Sequence, residues 1–383
     1  MLKVLTFIDW FWPGFKAGGP VRSLLNLTEH LSGEITFYII TRDTDYMSHE
    51  PYSEIQSNSW NEIRPGIHVY YISGEHLSRK TIHSFFQEKN KYDLVYINGI
   101  YSWYFSILPL YFSRKTGIAH VVAPRGMLSQ QTFSSKKRLK KIFFVAARVA
   151  GLYKRARFHA TMEREASDIA GIVHVDPARI SVAPNLPRKS LPERIPPREK
   201  QPGLLRLISI ARIAPEKNIL FAIQVLQGLK GGQVILDLYG ELYNADYWGE
   251  CLREIESLPA NIQVNSKGSI NSDHIPETLL NYHFLLMPSR GENFGHSILE
   301  SLMSGCPVVI SDKTPWRDLE KVRAGWDIPL DKPGEFTSIL QKCLELEQEA
   351  YNGLSEGALL HAREFVNNPK LVESSKNMFY GKS

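Results

Sequence analysis

Short apolar runs rich in β-branched residues recur along the chain, separated by stretches whose hydrophobic positions keep helical spacing. Val4-Leu-Thr-Phe-Ile8 reads as a first strand, Gly14 to Pro20 as a Gly/Pro loop, and Val21 to Leu31 as a helix. Ile35–Thr41, Leu94–Ile97 and Ala119–Ala123 read as further buried strands. The pattern restarts after residue 200. Leu205–Ile210, Val234–Tyr239, Phe284–Met287 and Pro307–Ile310 are strands, and Ile219 to Leu229 is helical. Such alternation predicts an α/β chain with parallel sheets covered by helices. Between the halves, Pro184 to Arg198 carries five prolines and five charges and reads as an exposed linker.

Length agrees with this division, because 383 residues exceed one ordinary core and suggest about two domains. The expected domains are 1–190, a linker at 191–203, and 204–366. Residues 367–383 read as a C-terminal segment able to cross back to the first domain. The net charge of +5, from 45 basic and 40 acidic residues, does not imply nucleic acid. It suits phosphate-bearing ligands or an anionic membrane surface. Three scattered cysteines, Cys251, Cys306 and Cys343, argue against a disulfide framework or structural zinc, so a reducing cytoplasm is the simplest reading. The apolar run after Met1 is too short for a signal peptide, and no run reaches the length of a membrane span.

The stretch Met287-Pro-Ser-Arg-Gly-Glu-Asn-Phe-Gly-His-Ser-Ile-Leu-Glu-Ser-Leu-Met-Ser-Gly-Cys-Pro-Val-Val-Ile310 carries the strongest chemical signal. It leaves a strand, passes a polar loop, enters a helix near Gly295 and stops at Gly305, a C-terminal cap. Ligands of open α/β sheets bind beyond the strand carboxyl ends. Backbone N–H groups near Phe294, Gly295 and His296 would favour a phosphate or carboxylate, and Gly295 lets the backbone come close. Glu292 lies at the mouth of the helix and Glu300 more than a turn inside, pointing away from the apolar face of Ile298, Leu299, Leu302 and Met303. Glu300 could accept from a vicinal diol such as a ribose, and Glu292 from hydroxyls of a second sugar. Taken alone, the spacing also fits two solvated helix-end charges.

A second signal is Ser209-Ile-Ala-Arg-Ile-Ala-Pro-Glu-Lys-Asn218, where Arg212 and Lys217 sit between a strand and a helix. Two cations at such a mouth suit a diphosphate and would stabilise it as a leaving group. A helix-start loop with solvated charges is the plain alternative.

These two stretches resemble the family 4 retaining glycosyltransferases. The resemblance covers most of residues 204–320. It is weaker in the first half, where it rests on Gly18-Gly19-Pro20, Ala123-Pro-Arg-Gly-Met127, His159-Ala-Thr-Met-Glu163 and Val182-Ala-Pro-Asn185. It implies the GT-B fold, two Rossmann-like parallel-sheet domains facing a deep cleft. It assigns Arg212 and Lys217 to the donor diphosphate, Glu300 to the ribose and Glu292, within Glu-Asn293-Phe294-Gly295, to the transferred sugar. Gly240 would face the nucleotide, Gly268 to Ile270 would frame the base, and Gly18 and Gly19 would border the cleft from the first domain. Many members carry a histidine after the strand that here reads His120-Val-Val-Ala123; Arg125 occupies the slot, as in a subgroup with a Pro-Arg-Gly-Met loop. Arginine cannot act as a base at neutral pH, but it could bind donor or acceptor oxygens. His120 itself reads as a core residue.

The resemblance implies a retaining, metal-independent hexosyltransferase with no cofactor beyond its nucleotide-sugar substrate. The expected donor is a UDP-sugar first and GDP-mannose second. The expected acceptor is a glycan or lipid-linked glycan in surface polysaccharide or lipopolysaccharide synthesis. Asp43-Thr-Asp45 is the one Asp-x-Asp spacing noted and reads as a surface turn. Residues 136–157 carry nine basic residues, no acidic ones and an apolar middle. That pattern suits either a helix lying on an anionic membrane, at the inner face of the cell membrane, or a helix packed on its sheet with a solvated basic face. Tyr101-Ser-Trp-Tyr-Phe105 could line an acceptor groove or belong to the core. A non-catalytic sugar-nucleotide-binding subunit of the same fold stays open as the alternative.

Overall fold

A computed structural model describes residues 1–88, 91–129, 137–189 and 195–381. The chain divides into two compact units, Met1–Lys189 with Pro369–Ser383, and Ser190–Asn368.

In the first unit, β1 (Leu2–Phe7), β2 (Ile35–Arg42), β3 (Trp60–Arg64), β4 (Ile67–Ile72), β5 (Leu94–Asn98), β6 (Ala119–Ala123), β7 (Arg157–Ala160) and β8 (Ile180–Val182) form one sheet. Its order is β3-β4-β2-β1-β5-β6-β7-β8. All neighbours are parallel except β3, which runs antiparallel to β4 at the edge. Helices on both faces bury the central strands, which is why β5 is apolar or aromatic nearly throughout and wholly buried. The helix Pro369–Tyr380 belongs to this unit: Phe379 packs edge-on against Phe37 and Tyr96, and Arg157 donates to the Met378 carbonyl at 3.1 Å.

In the second unit, β9 (Leu204–Ile210), β10 (Gln233–Tyr239), β11 (Ile262–Gly268), β12 (Phe284–Met287), β13 (Val308–Ser311) and β14 (Gly325–Ile328) form a wholly parallel sheet of order β11-β10-β9-β12-β13-β14. Strand order reverses between β1 and β5 in the first unit and between β9 and β12 in the second. Those are the crevices where ligands of such sheets bind.

Three expectations need correction. The segment before β9 is not an exposed linker, although 190–194 lie outside the described residues. Arg198 and Lys200 are 7% and 2% exposed. Arg198 donates to the carbonyls of Leu279, Ser304 and Gly305, and the Lys200 ammonium to Gln201, Leu344 and Leu346. These cations cap carbonyls that helices leave unsatisfied at their C-terminal ends. Asp43 and Asp45 are buried rather than on a surface turn. Asp45 accepts from the backbone N–H groups of Phe15, Lys16 and Tyr46, and Asp43 from the Ser57 hydroxyl. Finally, the helix after β9 is Ile219–Gln224; beyond it the chain tightens into i→i+3 turns up to Leu229. There Gly228 lies against Thr337, and an added Cβ would come within 2.7 Å of its methyl group.

Candidate active site

In the second unit, the loops that leave β9, β10 and β12 at their carboxyl ends carry Arg212 and Lys217, Gly240, and Glu292 respectively, and Gly268 is the last residue of β11. The β9 and β12 loops meet across the strand-order reversal. The Lys217 ammonium donates to Glu292 Oε1 at 2.6 Å, with side chains only 18% and 11% exposed. Asn218, in the left-handed region at φ 59°, stitches the two loops together. Its amide donates to the Pro288 carbonyl and its oxygen accepts from Arg290 Nε. The Arg290 backbone N–H donates to the Glu216 carbonyl at 2.9 Å. Removing either partner would strand a largely desolvated charge, so the Lys217–Glu292 geometry persists without a ligand.

Arg212 is held differently. It reaches Glu216 at 3.3 Å with both side chains 39% exposed, and its guanidinium lies 4.9 Å from the centre of the Tyr243 ring. An exposed pair of this kind is worth at most about 1 kcal/mol. The guanidinium can therefore leave Glu216 for a stronger anion while the ring keeps its plane oriented.

The helix His296–Met303 begins after Gly295, whose φ is 76°, and an added Cβ there would press on Ile298 at 2.8 Å. At the other end, Cys306 N–H bonds the Ser301 carbonyl around left-handed Gly305, the closure expected from the sequence. Glu300 is 5% exposed. Phe294 is a core residue: its ring packs on Trp316 and Phe365, and its carbonyl accepts from the Trp316 indole at 2.7 Å. Asn293 keeps a buried amide nitrogen with no hydrogen-bond partner among the described residues. Gly240 N–H donates to the Gly268 carbonyl at 2.8 Å, which joins the ends of β10 and β11, and Ile270 packs at the margin of the core. Lys217 and Glu292 thus touch, Asn293 continues from Glu292, and Gly240 touches Gly268. Arg212 lies on the loop after β9, and Glu300 lies inside the helix that follows the Glu292 loop.

In the first unit, Arg125 and Gly126 are consecutive left-handed residues after β6, at φ 54° and 77°. The Arg125 guanidinium bonds Asn98, Asn185 and the Tyr96 hydroxyl through four of its five N–H donors. Tyr96 in turn donates to His159 Nδ1 at 2.7 Å, and His159 Nε2 donates to the Ala183 carbonyl. Burial, reinforced by the Arg125 charge, pushes His159 down to about 3, and burial pushes Tyr96 up to about 12. Glu165, missed in the sequence, holds the same loop from its other side by accepting from Gly126 N–H and from both donors of Thr161. Arg125 is therefore a positioned group with one N–H donor that meets no partner among the described residues. Gly18 and Gly19 are exposed at the start of the helix Gly19–Leu31.

A second group missed in the sequence stands at the reversal between β1 and β5. Asp9 follows β1 and accepts from the Ser102 hydroxyl, beyond β5, at 2.8 Å; Arg42, at the end of β2, lies 3.7 Å from the same oxygen. Burial raises the Asp9 pKa against the opposing pull of Ser102 and Arg42. Nearby, Trp103 is 55% exposed, whereas Phe105 is fully buried, so the aromatic run divides between surface and core. A polar residue closing an apolar strand run was the available signal for Asp9.

Residues 192–358 match the family described as Glycosyl transferases group 1. No curated protein sequence matches the chain. Among solved structures, Anabaena Alr3699/HepE in complex with UDP and glucose is similar at a TM-score of 0.69 and 16% identity, over 100% of this chain and 99% of that one. Sucrose-phosphate synthase from Thermosynechococcus elongatus gives 0.67 and 15% over 100% and 99%. WaaG, a glycosyltransferase involved in lipopolysaccharide biosynthesis, gives 0.66 and 12% over 98% of each chain. The fold is GT-B.

Proposed function

We propose that this GT-B chain, whose second unit carries the group 1 glycosyl transferase match, is a retaining, metal-independent hexosyltransferase that uses a nucleotide-sugar donor. The observation that carries the reading is the Lys217–Glu292 pair, 2.6 Å long and largely desolvated, at the strand-order reversal of the matched unit.

In this reading Lys217 bridges Glu292 and the donor diphosphate, and Arg212 moves from Glu216 onto the same diphosphate. The second oxygen of Glu292, with Asn293, Phe294 N–H and Gly295 N–H, orients the transferred sugar. Glu300 binds the ribose hydroxyls, and the backbone of Gly240, Gly268 and Ile270 frames the base. The acceptor hydroxyl attacks the anomeric carbon on the face from which the diphosphate departs. The carbon–oxygen bond to phosphate breaks, and the acceptor proton passes to the leaving phosphate oxygen. The chain supplies position and charge stabilisation, not a nucleophile.

Recognition of the acceptor falls to the first unit. There the remaining donor of Arg125, the exposed backbone at Gly18 and Gly19, the Asp9–Arg42 pair and the Trp103 face suit an acceptor sugar. A UDP-sugar is the favoured donor, ahead of GDP-mannose. Alr3699/HepE, solved with UDP and glucose, supports that preference by likeness of fold. With a lipid-linked acceptor of surface polysaccharide synthesis, the enzyme would work as a peripheral protein at the inner face of the cell membrane.

Thermal-shift measurements with a panel of nucleoside diphosphates test the donor site. A matching nucleotide at about a hundred times its Kd should add roughly 2.7 kcal/mol of stability. Lys217→Ala or Glu300→Ala should remove most of that gain. Stability unchanged by every nucleotide would sink the reading. Donor turnover that persists in EDTA, with an anomeric proton of retained configuration in the product, tests the rest.

A further inference from the structure

The helix Lys137–Val149 lies in the first unit. Its inner face is fixed: Phe144 and Ala147 are each 6% exposed, Phe143 and Phe144 pack edge-on against Tyr101, and Phe144 contacts Tyr153. The helix therefore cannot roll to hide its other face.

That other face is apolar. Leu139, Ile142, Val145 and Val149 are 65%, 65%, 61% and 86% exposed. At 3.6 residues per turn they sweep an arc of about 120°. Lys141 and Arg148 fall on the adjoining arc, within roughly 60° of Val145. Arg138 stands exposed at the beginning of the helix, and Lys154 and Arg155 stand exposed just beyond its end. The whole stretch from 137 to 157 has no acidic residue. Soluble proteins rarely leave a contiguous apolar stripe uncovered.

We infer that this stripe is a docking face for an anionic lipid bilayer: the helix lies in the interface plane, with Leu139, Ile142, Val145 and Val149 among the acyl chains and the flanking cations at the headgroups. Two features select this occupant. The stripe and the cations are adjacent on one helix, which supplies both the apolar and the electrostatic half of interfacial binding. Each Lys or Arg at an anionic surface raises affinity about fivefold. A second copy of the chain fits poorly, because stripe-to-stripe contact would bring like charges together. Among the described residues no helix is long and apolar enough to cross a membrane, so the face lies on the bilayer rather than in it.

The inference stands apart from sugar transfer, because the test needs neither donor nor acceptor. The full chain is sedimented with phosphatidylcholine vesicles that contain or lack about 30% phosphatidylglycerol. It should pellet with the anionic vesicles, remain in solution with the neutral ones, and dissociate as salt is raised. Ile142→Ser/Val145→Ser/Val149→Ser should weaken binding by at least about tenfold, and Lys141→Glu/Arg148→Glu by a similar factor. All these positions are exposed, so melting temperature should stay at the wild-type value and nucleotide-induced stabilisation should be unaffected. Failure of the wild-type chain to bind anionic vesicles, or wild-type binding by the triple serine variant, would overturn the inference. So would light scattering that shows a wild-type dimer dissolved by the serine substitutions in the absence of lipid.

Discussion

A methyl group on residue 240 would sit 1.9 Å from the Ala211 carbonyl oxygen and 3.0 Å from Arg212 N. Backbone, not a flexible side chain, is in the way. Gly240→Ala should therefore push apart the ends of β9 and β10, cost more than about 2 kcal/mol in urea unfolding, and weaken nucleotide-induced stabilisation. Near-wild-type values for both would show that the loops have room to yield. At this scale the motif residues are readable from sequence: Lys217 and Glu292 are types and spacings that announce charge chemistry. The residues that fix them are not. Asn218 matters because it bonds Pro288, 70 positions away, and Asp9 because it bonds Ser102, 93 positions away. A single sequence carries no trace of which distant group a polar side chain meets. Arg125 is an intermediate case. Its place after β6 is legible, but the commitment of its guanidinium to Asn98, Asn185 and Tyr96 appears only in three dimensions.

At the scale of elements, buried strands announce themselves and edge strands do not. Val4–Ile8, Phe284–Met287 and Ala119–Ala123 are apolar because helices cover both faces of the sheet. Edge strand β3, Trp60–Arg64, alternates exposed and half-buried residues and looks like loop, and β11 ends in Asn-Ser-Lys-Gly. Helix ends explain the misjudged segment before β9. A run of prolines and charges normally signals solvent, yet Arg198 and Lys200 are drawn inward by carbonyls that helices cannot satisfy themselves. Arg198→Ala would leave the Leu279, Ser304 and Gly305 carbonyls buried without this donor, at a cost of about 3 kcal/mol or more. Chemical denaturation should find that loss, partly restored in Arg198→Lys. A variant as stable as wild type would mean that water replaces the guanidinium.

At the scale of the molecule, each unit buries a histidine in neutral form. Burial, with Arg125 adding to it, depresses His159 to about 3, and burial with Lys200 nearby depresses His283 to about 4, against an ordinary value of 6.5. Below pH 6.5 the unfolded chain takes up protons that the folded chain refuses, so stability is complete above that pH and falls as pH drops towards the folded values. Each histidine should contribute a slope approaching 1.4 kcal/mol per pH unit, on the order of magnitude of one proton. His159→Asn should flatten the decline in melting temperature between neutral and mildly acid pH. An unchanged profile would mean that the imidazole is protonated in the native state.

The order in which the chain visits its two units has a consequence for biosynthesis. The first unit is written in two instalments, Met1–Lys189 and Pro369–Ser383, with the entire second unit between them. Met378 and Phe379 are 1% and 2% exposed, and the Phe379 ring packs edge-on against Phe37 and Tyr96. While the ribosome is still making the second unit, the first must wait with that hydrophobic seam open. The unit begun earliest is closed last, and removing the final helix would damage the half of the molecule that lies farthest from it in sequence.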